Sequence, residues 1–481
     1  LGNRRSIGLL RQKLAVYWRE SKGPGEAVGK KIPLMDLMWL LAETQANPIH
    51  VCGLMLFEKP KGRPEIVREI VAAYREARPT APFDCVPDLE VTHTPRWREA
   101  ADYNPRYHVQ HIALPTGARY EDLLHLVGDL HETMLDRNRP LFRVWVIDQV
   151  PGRRFALFLK MHHAIIDGVS AVRRINASLG ATRRKGVPTP IFAVDLPVRK
   201  PRPPKALVKQ VLGVSSTATS QYFALLGSLR KGLWNWMGGK TSGSVPFAAH
   251  RGPMNEPVMN ARSVATLSLP LKDMRRVGKH YGATLNDVAM ALIDDGVHRY
   301  LEEMGQPFEH RLVAMCPVSL RERDDGSAGS KISAVFVRLG TPDATVLERL
   351  AQVADSMNTA KDEVRAMSKE TALGYAAGLM GIAGLTAVTY VDRVAPPSAN
   401  LVISNIPGWD RQLYLHGAPL VGAYPVSAIA VGVGLNATVV SSNDRMDFGF
   451  VANGASLRRL PALAGHVESA WRALLAATPS R

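Results

Sequence analysis

Within ten residues, Leu159-Lys160-Met161-His162-His163-Ala164-Ile165-Ile166-Asp167-Gly168, the chain changes from one kind of secondary structure to another. Residues 155–161 form an apolar run of strand length, and 169–179 have a helical period that stops before Gly180. A strand that runs through two histidines into an Asp-Gly turn and a helix calls for a mixed α/β fold, with the junction at a sheet edge or between domains. Adjacent histidines on an extended backbone point to opposite faces, so one can meet a substrate while the other packs inward. Gly168 lets the chain turn without a Cβ.

The same alternation continues on both sides. Before the junction, the pattern predicts a helix over 33–44, a strand over 51–57, helices over 64–78 and 120–135, and a strand over 142–150 that Pro151-Gly152-Arg153 joins to 155–161. After residue 260 it predicts strands 263–269, 311–316, 332–339, 400–404, 423–441 and 446–452. The helices there are 271–279, 285–303, 343–366 and 457–476. The 481 residues suffice for two or three domains. The expected division is a basic amphipathic extension (1–32), an N-terminal half (33–185), a basic proline-rich crossover with a helix at 222–237 (186–260), and a C-terminal half (261–481).

A neutral imidazole, with an ordinary pKa of about 6.5, is a natural base for an alcohol attacking an activated carbonyl. On spacing alone, three readings of the pair stay open: a general base, a metal site and a structural pair. Zinc would need a third ligand, for which the sequence offers no obvious candidate. Asp167 either orients a ring or holds the loop by pairing with an arginine. No GxSxG elbow or GxxxxGK[ST] phosphate loop is present. Gly432-Val433-Gly434-Leu435-Asn436-Ala437 fits GxGxxA, but Thr438-Val439-Val440 continues as strand rather than helix, so a dinucleotide reading falls. Cys52, Cys85 and Cys316 are far apart, which supports neither a disulfide framework nor a zinc finger, and a reducing, cytosolic setting is expected.

The net charge of +17 invites a nucleic-acid reading until it is located. Residues 1–31 carry eight Lys/Arg against Glu20 and Glu26, and residues 196–255 carry nine with no acid, which leaves the remaining body nearly neutral. Ile7, Leu10, Leu14, Tyr17 and Trp18 make the first stretch an amphipathic basic helix, docked on the body or in contact with a membrane surface. In the crossover, Trp234 and Trp236 suit a membrane interface or packing between domains. Ile7-Gly8-Leu9-Leu10 is too short for a secretory signal core. Residues 371–391 lack charge, but Gly374, Gly378, Gly381 and Gly384 keep them borderline, so a buried or surface-dipping helix is expected rather than a span.

His162-His163-Ala164-Ile165-Ile166-Asp167-Gly168 resembles the HHxxxDG motif of coenzyme A-dependent acyltransferases with the chloramphenicol-acetyltransferase fold. Further blocks make the chain similar to the bacterial bifunctional wax ester synthase/diacylglycerol acyltransferase family. These are Pro140-Leu141-Phe142, Leu285-Asn286-Asp287-Val288, Pro317-Val318-Ser319-Leu320-Arg321, Ser404-Asn405-Ile406-Pro407-Gly408 and Tyr424-Pro425-Val426-Ser427. They occur in the family's order between about 33 and 475. Gly329-Ser330, where relatives often have Gly-Asn, and the basic extension depart from the pattern.

The resemblance implies two mixed-sheet domains joined by a long crossover, with a tunnel between them. It implies an O-acyltransferase that makes triacylglycerol from diacylglycerol, wax esters from long-chain alcohols, or both. The enzyme would use acyl-CoA as co-substrate, with no cofactor or metal. His163 would take the hydroxyl proton as the acceptor attacks the thioester, and later protonate the departing thiolate, with no acyl-enzyme. His162 and Gly168 belong to the same motif, and Asp167 would shape it. Asn286 would polarise the thioester oxygen or cap the following helix. Asp287 reads as structural within a substrate-binding group that also includes Ser404, Asn405, Pro140, Leu141 and Phe142. A cytoplasmic enzyme peripherally bound to an anionic membrane or lipid droplet, without nucleic acid, is expected. The rival readings are transfer to another acceptor, such as a glycolipid or carrier-bound intermediate, and a catalytically idle lipid-surface protein of the same fold.

Overall fold

The strand that delivers the first motif histidine is buried from Phe155 to His162, as a central strand covered on both faces must be. The computed structural model of the chain describes residues 29–90, 94–183, 186–196, 249–319, 332–366 and 396–479. Its first part runs β1 (Lys30–Lys31), α1 (Leu34–Ala42), β2 (His50–Glu58), α2 (Ile66–Glu76), β3 (Cys85–Asp88), β4 (Arg96–Glu99), α3 (Pro105–His108), β5 (Val109–Ala113), α4 (Tyr120–Glu132), β6 (Phe142–Val150), β7 (Arg154–His162) and α5 (Gly168–Ser178). The second runs β8 (Arg262–Pro270), α6 (Leu271–His280), α7 (Leu285–Glu303), β9 (Val313–Ser319), β10 (Ile332–Arg338), α8 (Val346–Ala366), β11 (Leu401–Trp409), β12 (Tyr414–Leu415), β13 (Ala418–Ser427), β14 (Leu435–Ser442), β15 (Arg445–Asn453) and α9 (Leu460–Ala476).

Two six-stranded sheets, in the orders β12-β13-β2-β7-β6-β5 and β10-β9-β11-β14-β15-β8, form the body. The halves read from the sequence do not each keep their own sheet. Strands β12 and β13, from the C-terminal half, complete the first sheet, with β13 antiparallel to β2 from Leu420↔Phe57 to Ser427↔Val51. Burial on both faces holds β13 there. Leu420 and Ala423 join the core around Phe57 and Phe155, while Tyr424 and Val426 join the opposite core around Leu54, Trp145 and Phe158.

The single run expected over 423–441 is therefore two strands in two sheets. The connection between them includes Gly432 at φ +70°, a left-handed turn that glycine permits. Where the sheets cross, a Cβ on Gly449 would lie 1.7 Å from the Pro425 carbonyl oxygen, so only glycine fits. The strand expected over 400–404 continues through Ser404–Gly408. β11 runs in parallel with β14, and the register shifts between Ile406 and Trp409, where Pro407 has no N–H to give to the ladder.

The first sheet carries one unusual core residue. Lys160 is 1% exposed, and its Nζ donates to the carbonyls of Leu130 (2.7 Å), His131 (3.3 Å) and Thr133. It thereby satisfies the C-terminal carbonyls of α4. Burial lowers its pKa to about 8.

The expected basic helix in 1–28, the crossover helix at 222–237, the uncharged stretch 371–391, Leu320-Arg321 and Gly329-Ser330 lie outside the described residues. Among the described residues, no helix is long and apolar enough to cross a membrane.

Candidate active site

The last residue of β7 and the one after it part as the strand alternation predicts. His162 is fully buried, and its Nδ1 accepts the Ala164 N–H at 3.0 Å. His163 is half-buried. Its ring lies against Trp39 of α1, with centroids 4.5 Å apart, and its own N–H donates to the Ile49 carbonyl at 3.1 Å. Desolvation lowers the His163 pKa to about 4, only partly offset by the Asp167 charge, so the imidazole is neutral and able to accept a proton at physiological pH.

Asp167 is the N-cap of α5, its Oδ1 accepting the Ser170 N–H at 2.7 Å. Gly168 opens the helix. A Cβ there would sit 2.6 Å from Ile406 Cδ1, so the glycine lets β11 of the second sheet close over the motif. Asp36 of α1 is near enough to feel the Asp167 charge. Burial first, then that repulsion, raises its pKa to about 6.

Strand register connects the second sheet to the histidines. Ser404 of β11 pairs with Thr438 of β14, and Thr438 Oγ1 lies 3.0 Å from Ser427 Oγ of β13. Ser427 in turn pairs with Val51, beside the His50↔His162 pair. Ser404 therefore belongs to a line of hydroxyls that reaches the motif end of the first sheet. Thr438 also donates to Asn436 Oδ1 at 2.7 Å. Asn405 is exposed and, one residue on in an extended strand, points to the opposite face from Ser404, so the two cannot line one channel together.

Other expected contacts take different places. Leu141 and Phe142 are at most 1% exposed and Pro140 is buried, so none faces open space. The Leu141 carbonyl accepts the His162 N–H at 3.0 Å, which ties this residue to the motif. The helix after Gly282 is capped by Thr284 rather than Asn286. Asp287 completes a capping box, its Oδ2 accepting from Thr284 N–H at 2.9 Å and Oγ1 at 2.7 Å. The Asn286 Nδ2 bonds Met290 Sδ at 3.1 Å. The side-chain hydrogen bonds of both residues lie within α7 and its cap.

Sequence reasoning missed the residues behind the histidines. The Glu43 carboxylate, at the end of α1, lies 3.3 Å from both His162 Nε2 and His50 Nε2 and pairs with Arg137 at 3.1 Å. Burial alone would raise its pKa, but the facing His162 and His50 hold it well below the usual carboxylate range. Burial keeps His50 neutral, its pKa lowered to about 3. The signal was available: Asp36, Trp39, Leu40 and Glu43 follow at i, i+3, i+4 and i+7, which puts two carboxylates and an indole on one face of a short apolar helix. The His162 Nδ1 accepts a hydrogen bond, so its proton is on the Nε2 that faces Glu43, and among the described residues no set of three or more His, Cys, Asp or Glu could hold a metal ion.

Two mixed sheets, the first completed by β12 and β13 from the C-terminal half, with a histidine pair at the end of β7 and a glycine that admits the second sheet, define a two-domain fold of the chloramphenicol-acetyltransferase type. A starter condensation domain of a rhizomide synthetase shares that fold, with a TM-score of 0.54 at 13% identity over 93% of this chain and 94% of its own. More specifically, residues 33–289 match the wax ester synthase/diacylglycerol acyltransferase catalytic domain, and residues 328–474 match the WS/DGAT C-terminal domain. The chain belongs to this family and is an O-acyltransferase.

A wax ester synthase/diacylglycerol acyltransferase from Marinobacter aquaeolei VT8 superposes with a TM-score of 0.74 at 30% identity, covering 92% of this chain and 98% of its own. A probable diacylglycerol O-acyltransferase of Mycobacterium tuberculosis H37Rv is 34% identical over 455 residues, covering 91% of this chain and 97% of its own. The O-acyltransferase WSD of Acinetobacter baylyi is 29% identical over 439 residues, covering 90% and 94%.

Proposed function

We propose that this protein transfers a long acyl chain from acyl-CoA to the hydroxyl of diacylglycerol or a long-chain alcohol, with His163 as general base. The observation that carries this reading is a neutral, half-buried imidazole fixed at the strand end. His163 takes the hydroxyl proton as the oxygen attacks the thioester carbon. The tetrahedral adduct then expels the thiolate, which receives that proton back from the imidazolium, giving an ester and free coenzyme A. An acyl-enzyme is unnecessary. Each cysteine thiol is pushed up to about 12 by burial, so none supplies a thiolate nucleophile.

Acceptor choice is tested by incubating the protein with radiolabelled palmitoyl-CoA and diacylglycerol, hexadecanol, a glycolipid or no lipid. Labelled triacylglycerol or wax ester supports the reading, and label in the glycolipid alone overturns it. The His163→Ala protein should release coenzyme A at least a hundredfold more slowly, within the roughly 10²–10⁴-fold range of general-base catalysis. Wild-type turnover in that variant would exclude His163 as the base.

The basic segments suit a peripheral attachment to anionic membrane or droplet lipid, at about 1 kcal/mol per cation near the surface. Removing residues 1–28, which leaves the Lys30–Lys31 pairing with β4 in place, should reduce co-sedimentation with anionic liposomes while sparing turnover of a soluble alcohol. Undiminished sedimentation would sink that attachment.

A further inference from the structure

We propose that Glu43 is the positioning residue of the histidine pair: one carboxylate orients the His162 ring and, through the Ile49 peptide, the backbone that presents His163. The inference rests on the reading of His163 as the base and adds a residue that no motif contains.

Both carboxylate oxygens are committed. Oε1 accepts the Ile49 N–H at 3.0 Å and faces His50 Nε2, while Oε2 faces His162 Nε2 and takes the Arg137 guanidinium at 3.1 Å. The other side of the His162 ring is fixed as well. Because Nδ1 accepts the Ala164 N–H, the neutral ring carries its proton on Nε2, directed at Glu43. The Ile49 peptide then relays the constraint, its N–H held by Glu43 and its carbonyl accepting the His163 N–H at 3.1 Å. One turn earlier on α1, Trp39 lies against the His163 ring. A single helix therefore grips the side chain of one histidine and both the backbone and the ring of the next.

The position calls for a carboxylate rather than an amide. Hydrogen bonds reach the carboxylate from Ile49 and Arg137, His162 Nε2 faces it at 3.3 Å, and the site is closed to water, with Glu43 7% exposed. A glutamine would keep one acceptor oxygen but turn an NH₂ either toward the Ile49 N–H or toward His162 Nε2 and Arg137 together. The opposed donors would then rotate the ring or displace the Ile49 peptide. Displacements of about 1 Å at a reacting group cost up to about a hundredfold in rate without weakening substrate binding.

The test uses the full chain with palmitoyl-CoA and hexadecanol. Glu43→Gln should lower kcat about 10- to 100-fold while the KM for palmitoyl-CoA stays within about twofold, and Glu43→Asp, which retains the charge, should recover part of the loss. In the wild-type protein, ¹⁵N-histidine NMR should show His162, assigned by its absence in His162→Asn, as the Nε2–H tautomer, and Glu43→Gln should add the Nδ1–H form. Unchanged kcat in Glu43→Gln alongside an inactive His163→Ala would overturn the role of Glu43 alone. So would an Nδ1–H tautomer of His162 in the wild type, a measurement that stands even if Glu43→Gln does not fold. Full activity of His163→Ala would instead remove the base assignment on which the inference rests.

Discussion

Ile406 Cδ1 occupies the space next to Gly168 that a β-carbon would need, 2.6 Å from its position, and this contact closes the second sheet onto the first helix of the motif. Because the obstructing atom is the end of a flexible side chain, Gly168→Ala can be absorbed by a rotation of Ile406. Gly168→Val cannot, and should destabilise the protein by about 1–3 kcal/mol, as overpacked sites do. Urea unfolding of both variants, with kcat measured on each, checks the order. Equal stability of the valine variant and wild type would contradict it.

Trp39 shields one side of the His163 ring. Replacing it with alanine admits water, so the imidazole, now lowered to about 4 by desolvation, should move back toward its ordinary value. Because the base must be neutral, activity falls as pH drops through its pKa. The acid limb of kcat/KM should therefore sit at higher pH in Trp39→Ala than in wild type, a shift that pH–rate profiles read directly.

Acid should unfold this protein through its buried histidines. Burial lowers His50 to about 3, His108 and His163 to about 4, and His131 well below its ordinary value. Below about pH 6.5 the unfolded chain therefore binds more protons than the folded one. The stability is complete above that pH and is lost progressively as pH falls toward 4. Asp36, raised to about 6, and His298, Glu363 and Asp447, also raised, work in the opposite direction. Thermal melts at intervals from pH 7.5 to 4.5 should show Tm falling throughout that window, and a flat profile would count against the burial of these rings.

Lys160 serves three carbonyls at the end of α4 from inside the sheet. In Lys160→Met the volume is nearly kept but those acceptors lose their donor, at a cost of about 1–3 kcal/mol for an unsatisfied buried group. Chemical denaturation measures this, and a variant as stable as wild type would mean the carbonyls find other partners.

The sequence by itself determined the local elements and the reactive junction. Apolar runs of strand length set β2, β6 and β7 to within a few residues, and two histidines at a strand end had to diverge because strand side chains alternate. Sheet membership was not legible. Residues 423–427 read as the start of a strand of the C-terminal half, yet they pair with β2, where both of their faces are covered.

The same limit applies to the site. Pro140-Leu141-Phe142 and Leu285-Asn286-Asp287 stand out as motifs, but a motif does not say whether it touches substrate or holds backbone. The structure gives Leu141 a hydrogen bond to the His162 peptide and Asp287 a helix cap. The helix face marked Glu43 but not its role, because its partners, Ile49, Arg137 and His162, lie up to 119 residues from it along the chain. Only packing α1 against the end of β7 brings one carboxylate within reach of all three. Periodicity records which face a side chain takes, whereas the identity of what lies opposite that face is decided by tertiary packing.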